Sequence, residues 1–138
     1  MEFESHCHIG SVERNEIIFR AHYRPLANLV KGISIITLPE TLYLSIFFGT
    51  HRIFGIDMQE GQRHKNKTGI GMPFYEQDIT STIHMHKWTD KGCGYVEPLV
   101  LKKETVEELF TEFLTRAVLF LTGEFVHPMH KKQLSLLS

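Results

Sequence analysis

From its first residue the chain alternates between apolar and polar positions. Met1, Phe3, Ser5, Cys7 and Ile9 fall on one side of an extended backbone, and Glu2, Glu4, His6 and His8 on the other. That period of two marks a strand with one buried face. "SVERNE" interrupts it and predicts a turn. "EIIFRAHYR" then resumes, with Ile17, Phe19, Ala21 and Tyr23 opposite Arg20, His22 and Arg24, until Pro25 ends the run. Residues 33–58 follow another rule. "ISIITL", "LYLSIFFG" and "RIFGIDM" are almost continuously apolar and are bounded by "PET" and "GTH". Short runs of this kind predict three strands of a meander, central and covered on both faces. A buried helix through "TLYLSIFF" is the alternative that pattern alone leaves open.

"QEGQRHKNKTGIGMP" has no period and reads as a loop. "STIHMHKW" returns to alternation, with Thr82, His84, His86 and Trp88 opposite Ile83 and Met85. "TDKGCGY" predicts the turn that closes it, and Pro98 puts the short strand "YVEPLVL" at an edge. The period then becomes helical: Val106, Leu109, Phe110, Phe113, Leu114, Ala117, Val118 and Leu121 recur at three and four. Thr105 with Glu108 makes a capping box, and Gly123 stands where a C-terminal cap belongs. The stripe reads as a face that packs across a sheet. The expected fold is α+β, a mainly antiparallel sheet, a strongly curved or barrel-like meander, with one amphipathic C-terminal helix packed on it. Residues 1–123 read as a single α+β domain, and residues 124–138 as a basic, weakly ordered C-terminal tail.

At 138 residues, with 42% hydrophobic and 22% charged residues, the chain can bury one core and does not have the composition of a disordered protein. Its formal charge of −1 supplies no global attraction to nucleic acid, so such a partner needs a local basic patch. Two cysteines are too few for a disulfide framework, and the acidic "MEFESHCHIG" is unlike a signal peptide. Cys7 reads as a core residue and Cys93, between two glycines, as an inert turn cysteine. No apolar run reaches the length of a membrane-spanning helix. The expectation is a cytoplasmic protein with no membrane partner.

Nine histidines change the picture. On a strand, residues two apart point the same way, about 6.6 Å apart at the backbone. The pairs His6/His8 and His84/His86 can therefore each converge on one cation. If their strands meet, His6, His8, His84 and His86 form a zinc site, with Asp57, Asp78 or Glu97 as a further ligand. A second chemistry needs no metal: one imidazole acts as general base and another as general acid in phosphodiester cleavage. Here His84, His86 and His64 are the catalytic candidates. Arg63, Lys65, Lys67 and Lys87 would hold phosphate, and Trp88 and Tyr95 would stack on bases. This makes a ribonuclease-like protein acting on RNA or single-stranded nucleic acid the leading expectation. The alternatives are a non-catalytic binding or inhibitor protein of a mobile genetic element, working through a protein partner, and a zinc-binding domain. "GxxxxGK", "GxGxxG", "CxxC" and "GxSxG" are absent from the sequence, which moves nucleotide hydrolysis, redox and serine chemistry down.

Overall fold

In the computed structural model, which describes residues 2–9, 12–89 and 92–120, the chain is mostly antiparallel sheet with one helix. The strands are β1 (Glu2–Ile9), β2 (Val12–Arg24), β3 (Ala27–Lys31), β4 (Ser34–Leu38), β5 (Thr41–Phe48), β6 (His51–Met58), β7 (His64–Lys65), β8 (Asp78–Ile79), β9 (Ile83–Thr89) and β10 (Gly92–Pro98). The helix α1 spans Val106–Leu119. Six strands form the main sheet in the order β1-β2-β5-β6-β9-β10, while β3-β4 and β7-β8 are separate two-stranded ribbons. The main sheet does not close into a barrel, so the antiparallel α+β expectation holds and the barrel-like one does not.

One face of this sheet carries the core. Leu42, Leu44, Ile46, Phe54, Ile56, Met58, Ile83 and Met85 are buried against Leu109, Phe113, Ala117 and Phe120. Phe113 lies 5.4 Å from the ring of Phe19 and 5.7 Å from that of Phe54, and Phe54 stacks on Phe120 at 5.3 Å. Thr105 caps α1 as expected: its side chain accepts from the Glu108 amide at 3.2 Å. The rest of the apolar stripe is less covered, although Val106 packs against the core and Phe110 meets the Phe19 ring edge-on at 6.2 Å. Phe110, Leu114 and Val118 are exposed, because one helix on a twisted sheet buries only the narrow strip facing it. Gly123 and the 124–138 tail lie outside the described residues.

Two local expectations are corrected. "SVERNE" is not a turn, since β2 begins at Val12 and pairs with β1 across an irregularity between His6 and Cys7. "ISIITL" is not a central strand. It is β4, exposed along most of its length and paired with β3, a strand that the pattern did not reveal. As expected, β6 is central and buried on both faces, but one of those faces is polar. Phe54, Ile56 and Met58 face the helix, while Gly55 and Asp57 face away from it, so one strand serves two environments.

The free edge of β10 is covered from within the chain. Asn66, fully buried, accepts from the Val96 amide at 2.8 Å and donates to the Val96 carbonyl at 2.7 Å. Its side-chain amide thus stands in for a neighbouring strand.

Candidate metal centre

Asp57 and His84 are cross-strand partners of β6 and β9, and Gly55 is the partner of His86. All four therefore share the sheet face opposite the helix, and alternation along each strand aims the side chains of Asp57, His84 and His86 at one place. One oxygen of Asp57 and one nitrogen each of His84 and His86 lie within 4.8 Å of one another, close enough to hold a metal ion. Asp57 Oδ2 is 2.9 Å from His86 Nε2 and 3.6 Å from His84 Nε2. The two imidazoles stand 5.1 Å apart, centroid to centroid. Asp57 and His84 are buried, with His86 closer to solvent. His86 Nε2 is itself buried, and despite its proximity to Asp57 it has no hydrogen bond of acceptable direction.

Arg52 completes the cluster. Its Nη1 donates to Asp57 Oδ2 at 3.1 Å and its Nη2 to Oδ1 at 2.5 Å, with a further contact to the Leu44 carbonyl at 3.3 Å. The guanidinium reaches Asp57 by lying over Gly55, where a Cβ would come within 2.2 Å of Nη2. Only a residue without a side chain leaves that passage.

Burial alone would raise the Asp57 carboxyl, but the adjacent His84 and His86 imidazoles and the hydrogen-bonded Arg52 guanidinium outweigh it and hold the group well below the usual carboxylate range. Burial pushes His86 the other way for its own chemistry, below the ordinary imidazole value, so it stays neutral. Tyr43, the other cross-strand partner of Asp57, is raised by burial and by that nearby negative charge, and its hydroxyl donates to Gln59. The cluster is an ionised carboxylate and a neutral imidazole beside a second imidazole, with one fixed cation alongside.

Of the residues picked from the sequence, His84, His86 and Asp57 come together, and His64 joins them from the loop, 6.0 Å from the His86 ring. His64 is fixed through Nε2, 2.8 Å from the Gly94 carbonyl. His6 and His8 do not belong to this group. Their side chains lie outside the described residues, but β1 is four inter-strand steps from β9, about 19 Å at the usual spacing. The four-histidine site is thereby corrected: the two pairs sit on strands that never meet.

Several other candidates face elsewhere. Lys87 points to the helix side and pairs with Glu97 at 3.6 Å. Tyr95 is fully buried, donates to Glu97 and accepts from the Phe74 amide, and burial pushes its hydroxyl up to about 12, so it presents no ring to a base. Trp88 meets His51 edge-on at 5.3 Å and packs against the core. Arg63 is exposed but bound to Asp78 at 2.6 Å. Lys65 and Lys67 are exposed on the loop, and the Cys7 and Cys93 side chains lie outside the described residues. Sequence reasoning missed Arg52 and Gly55. A signal existed: Gly55 and Asp57, two apart inside "RIFGID" with Arg52 at its start, require a polar face within an apolar run.

Fold and site together define an open antiparallel sheet with a helical core on one face and a two-histidine, one-carboxylate cluster on the other. The chain matches no protein family, no curated protein and no solved structure.

Proposed function

We propose that this protein is a zinc-binding domain whose ion is held by Asp57, His84 and His86. The single observation that carries the reading is the convergence of three ligand atoms within 4.8 Å, one of them a buried histidine nitrogen without a hydrogen-bond partner. Two imidazoles and a carboxylate suit a divalent transition metal, and three protein ligands leave one position open for water or substrate. Both His86 and Asp57 are held in the protonation state that ligation requires. Arg52 opposes binding by keeping a positive charge on the same carboxylate, so affinity is lower than for an unpaired site. Zinc titration of metal-free protein tests this. One equivalent binds the wild type, His86→Gln loses it, and Arg52→Met binds more tightly. An absence of zinc binding at about 100 µM metal rejects the reading.

A second reading, phosphodiester cleavage, is favoured by the position of His64 beside His86 on the loop that also carries Lys65 and Lys67. With Nε2 donating to Gly94, the Nδ1 lone pair is free to take the proton of an attacking water or ribose hydroxyl. The new P–O bond forms as the bond to the leaving oxygen breaks, and that oxygen takes a proton from solvent. Both lysines would balance the phosphate charge. Cleavage of single-stranded RNA by the zinc-loaded protein, reduced about 100-fold in a folded His64→Ala variant, is the expected result. Intact RNA with zinc-loaded wild type removes the nuclease reading and leaves the metal site standing.

A further inference from the structure

Between β2 and β5 the chain leaves the main sheet. The register runs to Arg24↔Thr41, passes two prolines at 25 and 39, and continues as the β3-β4 ribbon from Ala27↔Leu38 to Lys31↔Ser34. Gly32, at positive φ, makes the two-residue turn with Ile33. This arm is apolar on both faces and at its tip. Val30 and Ile35 are 74% and 71% exposed on one face, Ile33 is fully exposed, and Leu26, Leu29 and Ile36 are also open to solvent. A lone two-stranded ribbon is marginal in water at best.

The edges of this protein are not all treated alike. β10 is covered by Asn66 and ends in Pro98, and β1 carries exposed Glu2 and Glu4. β4, Ser-Ile-Ile-Thr-Leu, has no charge, no proline and no bulge, and among the described residues its only strand partner is β3. Closure of the turn by Lys31 and Ser34 directs the amides and carbonyls of Ile35 and Thr37 outward. Such an edge is an open template for another strand.

We infer that β4 pairs with β4 of a second copy of this chain, giving a two-fold dimer with a four-stranded sheet formed from two arms. In that pairing Ile35 and Ile36 of each β4 lie beside those of the second copy, covering apolar surface that the lone arm leaves open to water. An edge without charge pairs with its own copy without repulsion, and antiparallel self-pairing satisfies the two-fold symmetry of most dimers. The outward groups of Ile35 meet those of Thr37 across the axis, so Ile36 stands opposite the same residue of the second copy.

Sedimentation from about 5 to 200 µM protein, with chelator present to remove metal bridging, reads the assembly. The wild type sediments as a dimer over the upper part of that range, and Ile35→Lys as a monomer with unchanged circular dichroism. Ile36→Cys, in a background with both native cysteines replaced by serine, oxidises to a covalent dimer because its Cβ atoms face each other across the axis. A wild type that stays monomeric throughout overturns the inference, as does a dimer that Ile35→Lys leaves intact. Should Ile35→Lys fail to fold, the cross-link decides, and its absence counts against the pairing.

Discussion

Asp57 shows how one residue ties stability to chemistry. Its carboxylate is buried and answered by Arg52 and two imidazoles, so removing its charge strands the guanidinium in the sheet. Asp57→Asn should cost about 3–5 kcal/mol in urea unfolding, the range for breaking a buried pair from one side. Gly55→Ala attacks the same pair indirectly, because the added methyl takes the space of the guanidinium. It should loosen the Arg52–Asp57 contact while preserving the fold, which NMR of the Arg52 side chain reads directly. His86 makes stability depend on pH. Burial keeps its folded-state value below the ordinary one, so on acidification the unfolded chain binds a proton that the folded chain refuses. Stability is full above about pH 6.5 and falls as pH drops toward the depressed folded value. Asp57 continues the trend at lower pH, since its depressed carboxyl stabilises the fold only while the unfolded group is also ionised. Urea midpoints of metal-free protein should therefore decline between about pH 6.5 and 5, and His86→Gln should flatten that decline.

At the scale of elements, the loop between β6 and β9 is more than a connection. Asn66 binds Val96 through both ends of its amide and also donates to the Phe74 carbonyl at 2.8 Å. Asn66→Leu leaves those backbone groups without partners and should cost about 3 kcal/mol by denaturation, with faster hydrogen exchange at the Val96 amide. The start of α1 offers a smaller, local test: Thr105→Ala should cost about 1 kcal/mol. The helix start was legible because a capping box is a short-range pattern whose partners are three residues apart. β9 was legible for the same reason, its alternation being complete within seven residues. By contrast, β4 was misplaced. Its apolar composition matches that of a central strand, and nothing in five residues states whether a second layer covers them.

Over the whole molecule, the arm and the metal site make separable contributions. None of the fully buried core residues comes from 26–38, so replacing that segment by a short turn should leave the folded sheet intact. The melting temperature of the full chain should rise with protein concentration, and that of the shortened chain should not. Zinc should raise both by the same amount, because the ligands lie on β6 and β9 rather than on the arm.

Local order determined much of this protein: which segments are extended, where the helix begins, and that His84 and His86 share one face. Each follows from a period or a cap spanning a few residues. Strand order was decided only in three dimensions. It set Asp57 beside His84 and put β1, which carries His6 and His8, at the sheet edge four strands from β9, while the loop between β6 and β9 brought His64 beside His86. Pairing between strands depends on which edges remain open once the core has formed, and alternation within any single strand is the same whichever neighbour it acquires.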